Sequence, residues 1–240
     1  MIYNNEFSIN KFFTKNYGLP AKPKAVTWKK PKNIIILLLF WWLSLIFFLI
    51  KNSKAKKEIE QWEAAYQYRS DNWRKEFDAF YKKAEAAMDL KNKGMQKLGI
   101  VEEQIIDVKP FYIYGPKHDG YYINYTDGTC RSSMYEYTYI FFTEDQVLFY
   151  TRDLNLLDLS KKKESTQEYF YQDITSISTS TVSKEVKNQL KEGKTEEVET
   201  EAFLIIVPGD KQSLAYTGND LTNESVKGMK NLLRNKKMGR

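Results

Sequence analysis

Residues 134–151, MYEYTYIFFTEDQVLFYT, decide the fold class of the chain. Tyr135, Tyr137, Tyr139 and Phe141 alternate with Glu136, Thr138 and Ile140. A period of two places alternate residues on one face of a strand and on no face of a helix. Thr143-Glu-Asp-Gln146 supplies the tight turn, and Gln146 to Thr151 reads as the returning strand.

Working outward, the same period recurs on both sides. Gln104 to Tyr114 and Gly120 to Tyr125 precede the pair, and Glu168 to Gln172, Ile174 to Val182, Ala202 to Val207 and Ser213 to Thr217 follow it. Pro208-Gly-Asp210 turns the last two strands. The Lys- and Glu-rich stretch Ser183 to Glu201 is either a solvated loop or a protruding hairpin turned at Glu192-Gly193. The strands end in a helix over about Asn223 to Lys236, with Thr222 as its cap, Val226, Met229 and Leu233 as its apolar face, and Arg234, Lys236 and Lys237 at the negative end of its dipole.

Upstream, the period becomes helical. Ile59, Trp62, Tyr66, Trp73, Phe77, Phe80, Ala84 and Met88 share one face of a helix predicted over 53–93, with Arg69 or Ser70 filling the one turn that lacks an apolar residue and Gly94 closing the end. Its average of about 3.6 residues per turn is that of a straight helix, not a supercoiled one. The stripe is expected to pack on the following domain, on lipid, or on another copy through residues 59–88. Before it stands Ile34 to Ile50, IIILLLFWWLSLIFFLI, uncharged throughout. Its fourteen Ile, Leu and Phe residues favour insertion in a bilayer by about 4–8 kcal/mol. Residues 34–50 are therefore expected to be a transmembrane helix of about 26 Å. Trp28, Lys29, Lys30, Lys32, Trp41, Trp42, Lys51 and Lys54 are its candidate membrane contacts. Residues 1–33, interrupted by Pro20, Pro23 and Pro31, read as an irregular basic tail. The expected localisation is a single-pass membrane protein.

Composition narrows the function classes. Net charge is +6, but 31 lysines against six arginines, with no basic-aromatic interleaving, argue against nucleic acid as a partner. Cys130 is the sole cysteine, which excludes an intramolecular disulfide. Six cations before Ile34 and five after Ile50, within about twenty residues of the apolar stretch, leave its orientation open. The absence of a disulfide framework favours the cytoplasmic side for the domain. His118 and Cys130 are the only candidates for a nucleophile and its base, and they carry no recognisable motif. No metal-ligand spacing, phosphate loop or dinucleotide fingerprint occurs. No catalytic residue, metal or cofactor is expected, and the chain does not read as an enzyme.

Three stretches carry a family resemblance: Tyr139 to Tyr150, Glu168 to Ile177 (EYFYQDITSI), and Val226 to Arg234 (VKGMKNLLR). Antiparallel strands closed by one amphipathic helix over 101–237 resemble the bacterial pleckstrin-homology-like and GRAM-like domains. That resemblance implies an α+β chain whose antiparallel barrel is closed by the C-terminal helix, and a binding or scaffold function toward a protein or a lipid surface, the bilayer included. The basic first hairpin of lipid-headgroup binders is not matched, since Gly115 to Gly120 holds one lysine and an acid. Tyr112, Tyr114, Lys117 and Tyr121 are the candidate binding residues. The alternative is an assembly component similar in outline to the bitopic subunits of secretion or conjugation machines, in which helices cup a curved sheet.

Overall fold

The computed structural model describes residues 3–26, 34–106, 110–117, 119–124, 129–187, 195–216 and 220–238, with side chains at 34–44, 124, 184, 186–187, 195–196, 198, 215–216 and 220–226 left out. Two compact units make up the chain, Met1–Ala79 and Phe80–Arg240.

The first unit is a helix with a strap. Helix α1 (Ile9–Phe12) and a 3-10 turn (Lys15–Gly18) lie in the N-terminal segment, and α2 (Ile34–Ala86) contributes its residues up to Ala79. The apolar stripe is covered from within the chain. Phe12 stacks on Phe77 at 4.8 Å, Phe7 meets Trp73 edge-on at 5.7 Å, and Trp73 and Phe12 are fully buried. Trp62 and Ala65 are buried with Leu19, and Trp62 stacks on Tyr66 at 5.2 Å. Both indole N–H groups donate to backbone carbonyls, Trp62 to Pro20 at 2.8 Å and Trp73 to Asn5 at 3.0 Å. The missing turn of the stripe is filled by Arg69, 4 % exposed, whose guanidinium donates to the Tyr17 carbonyl at 2.6 Å and to the Asn4 carbonyl. Asn16, Tyr17 and Gly18 all hold positive φ, and this left-handed turn brings the Tyr17 carbonyl to Arg69. Residues read from sequence as a loose tail thus cap the face of α2.

Among the described residues no helix is long and apolar enough to cross a membrane, which overturns the single-pass transmembrane reading of 34–50 and the localisation drawn from it. Ile34–Ile50 is instead the first part of a 53-residue helix that continues unbroken through Lys51, Lys54, Lys56 and Lys57 to Ala86. Trp28, Lys29, Lys30 and Lys32 lie outside the described residues, as do the side chains of Trp41 and Trp42. Lys51 sits with its ammonium 4.4 Å above the Phe47 ring, and Lys54 is exposed.

The second unit is layered. Its strands are β1 (Phe111–Pro116), β2 (Tyr122–Asn124), β3 (Cys130–Ser132), β4 (Met134–Phe142), β5 (Gln146–Asn155), β6 (Glu164–Phe170), β7 (Ser176–Lys187), β8 (Thr195–Val207) and β9 (Asp210–Tyr216), and helices α3 (Leu90–Leu98) and α4 (Asp220–Lys237) complete it. All pairings are antiparallel. They form a four-stranded sheet in the order β1-β4-β5-β6, a three-stranded sheet in the order β7-β8-β9 and the small β2-β3 ribbon. The register of β4 on β5 sets Thr138 opposite Thr151, and their buried hydroxyls bond at 2.9 Å.

The two larger sheets enclose one core. Ile113, Ile140, Phe142, Val147 and Phe149 come from the first; Phe203, Ile205 and Leu214 come from the second; Met229 and Leu233 of α4 join them. A closed barrel does not form, which corrects the expected architecture: β1 and β9 run side by side without a shared ladder, and the 3-10 turn Tyr171–Asp173 separates β6 from β7. The other face of the four-stranded sheet carries Tyr135, Tyr137, Tyr139 and Phe141. The end of α2 and α3 cover it, with Ala84, Met88, Leu90 and Gly94 buried. Both faces of the central strands β4 and β5 are therefore largely covered, which is why these two read as nearly continuous apolar runs, while the flanking β6 stays mostly exposed.

Several boundaries differ from the sequence reading. The helix predicted over 53–93 breaks after Ala86, where Asp89 takes a φ of 48°, and Gly94 lies inside α3 rather than at a helix end. The reason is contact: a Cβ on Gly94 would stand 2.9 Å from the Phe141 ring, so only glycine lets α3 approach the sheet. The strand expected from Gln104 begins only at Phe111, with Glu102–Gln104 in a 3-10 turn. Ser183 to Glu201 is the hairpin of β7 and β8; its Glu192-Gly193 turn lies outside the described residues. Helix α4 starts at Asp220, which puts Thr222 within its first turn.

Candidate binding groove

A groove of about 840 Å³ opens where three connections of the second unit meet. One wall is the end of α3 and the link that follows, Leu98 to Ile106; the others are the β4–β5 turn, Thr143–Gln146, and the end of β6 at Glu168 and Phe170. Gly99 holds a φ of 67° and its N–H caps Met95, so the chain leaves α3 abruptly and turns along the sheet end. Ile106 then donates its backbone N–H to the Phe142 carbonyl at 3.0 Å, fixing the link to β4.

The β4–β5 turn is held from two sides. Thr143 Oγ1 donates to the Gln146 carbonyl at 3.1 Å and accepts from the Gln146 N–H at 3.2 Å. Tyr171 donates its backbone N–H to the Asp145 carbonyl at 3.0 Å and its hydroxyl to the Thr143 carbonyl at 2.9 Å. Burial, and the charge of Asp145 behind it, push the Tyr171 phenol up, so it stays a donor across the neutral range. The turn that forms this wall is thus fixed by these four hydrogen bonds.

Its chemistry is mixed. Glu103, Glu144, Asp145 and Glu168 stand round it, while Leu98, Ile100, Ile105, Ile106 and Leu148 supply apolar floor. Phe170 is 46 % exposed at its edge. Among the described residues none of these four carboxylates is in an ion pair. An adjoining pocket of about 310 Å³ shares Glu144, Asp145 and Phe170 and includes Lys236, whose ammonium donates to the Glu144 carbonyl at 3.2 Å. Such a surface holds cations and apolar side chains and repels anions.

The residues singled out from sequence lie elsewhere. Tyr112 and Tyr114 share the outer face of β1, where Tyr114 stacks on Tyr137 at 5.1 Å and the Tyr112 hydroxyl donates to Glu85 at 3.1 Å. Burial, with the charge of Glu85 beside it, holds the Tyr112 phenol up at about 12. Tyr81 and Tyr137 bond hydroxyl to hydroxyl, and burial raises both. Lys117 is taken up in pairs with Asp153 at 2.8 Å and Glu136 at 3.5 Å. Tyr121 stands 52 % exposed in the link before β2. The structure therefore joins Tyr112 and Tyr114, sets Lys117 in an internal ion pair, and leaves Tyr121 apart. Cys130 is exposed, and His118 lies outside the described residues. Among the described residues no group of His, Cys, Asp or Glu side chains could hold a metal ion. The groove residues carried no pattern in the sequence beyond the pairs Glu102-Glu103 and Glu144-Asp145; three segments far apart in the chain assemble them. No family model, curated protein or solved structure matches this chain.

Proposed function

We propose that the chain is a binding and scaffold protein whose second unit takes a cationic, partly apolar segment of a protein partner in the groove between α3, the β4–β5 turn and β6. The observation that carries this reading is the ring of four carboxylates around an apolar floor, with Phe170 exposed at its rim. Two sheets followed by a helix that sends Met229 and Leu233 into their core support a pleckstrin-homology-like module as its scaffold. The groove's sign disfavours an anionic lipid surface as the ligand.

A labelled peptide of alternating Lys and Leu tests the proposal by fluorescence anisotropy with the full-length chain. It should bind the wild type, weaken as salt rises, and lose at least tenfold in affinity (about 1.4 kcal/mol) in a Glu103→Lys/Glu168→Lys variant. Phe170→Ala should weaken it further at unchanged salt dependence. Equal binding of the matching Glu/Leu peptide would overturn the reading.

A second reading, a subunit of a larger assembly, draws on one observation: helices cover the outer face of the four-stranded sheet, with Met88, Leu90 and Gly94 buried there. Size-exclusion chromatography of the full-length chain with light scattering would separate the two, since only the second requires a stable complex of fixed stoichiometry.

A further inference from the structure

Strand β7 is an edge. It runs for 12 residues, and β8 is its only ladder partner among the described residues. Edge strands of this length are ordinarily blunted by charge or proline. Here the charges Lys184, Glu185 and Lys187 are confined to the far end, and Ser176 to Ser183, SISTSTVS, contains neither. Ser178, Thr179, Ser180 and Thr181 are all exposed. In an antiparallel pair, alternate residues turn their N–H and C=O away from the neighbour, so the free edge offers a row of donors and acceptors.

Beside this edge lies a stripe of charge. Lys227, Lys230, Arg234 and Lys237 follow one another in α4 at spacings of three, four and three, which is one face of a helix. Two of them mark where that face meets β7: Lys230 donates to the Thr179 hydroxyl at 3.1 Å, and Lys237 donates to the Ile174 carbonyl at 2.6 Å. The hydrogen-bonding edge and the cationic helix face therefore lie side by side. The acids gather at the far half of the strand: Glu185 lies within β7, and Glu201, Glu199, Glu197 and Glu196 of β8 stand opposite Thr181, Ser183, Glu185 and Val186. Ser176 to Ser180, beside Lys230, pair with Ile206 to Ala202 and have no acidic cross-strand neighbour, while Asp173 precedes the strand and Glu224 falls in the first turns of α4 with its side chain outside the described residues.

We infer that β7 and the basic face of α4 form a docking site for an extended acidic peptide segment, which adds to the sheet as a further strand. Its backbone pairs with β7. Its carboxylates, on every second residue, fall on the side that faces Lys227, Lys230 and Arg234. The charge on α4 decides between occupants. A second copy of this chain, paired antiparallel through its own β7 near Thr179, would bring one Lys230 against the other. A nucleic acid would satisfy the cations but has no backbone to match a strand edge.

The experiment uses the full-length chain and three labelled octapeptides: Glu and Val alternating, Lys and Val alternating, and the Glu/Val peptide with every second amide N-methylated on the strand-pairing side. Fluorescence anisotropy should show the Glu/Val peptide binding at least tenfold tighter than the Lys/Val peptide. N-methylation should cost a further tenfold or more, and Lys230→Glu/Arg234→Glu should remove the preference for acid. The methylated peptide probes the wild type, so the test survives a variant that folds poorly. Equal binding of the acidic and basic peptides overturns the inference, and so does affinity unchanged by N-methylation. A concentration-dependent dimer that Ser180→Pro abolishes and the acidic peptide does not compete would place a second copy on the edge and overturn it as well.

Discussion

Arg69 shows what a single side chain does in this fold. Its position in an aromatic stripe leaves room for either Arg69 or Ser70 to fill the gap, and the structure puts the guanidinium there, buried, as donor to the Tyr17 and Asn4 carbonyls. Arg69→Met keeps the bulk and removes the donors, stranding two carbonyls at a buried site. It should destabilise the first unit by about 2–4 kcal/mol, read as a lower urea midpoint in tryptophan fluorescence. Gly94 acts through what it lacks. Gly94→Ala would set a methyl 2.9 Å from Phe141, in contact with a ring that is itself fully buried. The expected cost is about 1–3 kcal/mol, checked by thermal melting followed in near-UV circular dichroism. Cys130 is the counterexample. It is exposed at the start of β3, and Cys130→Ala should leave stability within about 0.5 kcal/mol of wild type.

At the scale of elements, helix α2 divides its apolar face between two tasks. Trp62, Trp73 and Phe77 are covered by the N-terminal strap, while Ala84 and, just past the helix end, Met88 lie against the four-stranded sheet. The helical period was legible from sequence because it depends only on spacing. What covers each part of the stripe was not, because Phe7, Phe12, Phe13 and Tyr17 show no periodicity of their own and reach α2 through an irregular path. Trp73→Ala should cost about 3–5 kcal/mol, and deletion of residues 3–20 should expose the same stripe, measured as increased binding of an apolar dye. The break after Ala86 was equally hidden. Arg152, buried on β5, donates to the Met88 carbonyl at 2.8 Å and so satisfies a backbone group freed where the helix ends. No local signal at 86–90 announces a partner that lies sixty-four residues away.

At the scale of the molecule, the tyrosines where the end of α2 meets the four-stranded sheet make the second unit sensitive to alkali. Tyr112 has its phenol raised to about 12, and burial raises Tyr81, Tyr114, Tyr135 and Tyr137 in the same direction. A phenol whose folded pKa exceeds its unfolded value of about 10 favours the native state below that value, and the advantage is lost as pH rises through the folded pKa. The phenols' contribution to stability should therefore be constant from neutral pH up to about pH 10 and fall between there and about 12. Phenolate absorbance at 295 nm should rise together with loss of the circular dichroism signal rather than ahead of it. By itself the sequence determined the α+β order, the helical stripe, the β4–β5 hairpin and the apolar face of α4. Each of these rests on spacing within a short stretch, where side-chain period and backbone geometry are locked together. Only the tertiary structure decided that the sheets stay open, that the strap belongs to α2, that Lys117 is spent on Asp153, and that Glu103, Glu144 and Glu168 meet Phe170 round one groove. Those outcomes depend on which surfaces exclude water from one another across distant parts of the chain, and no local period encodes that.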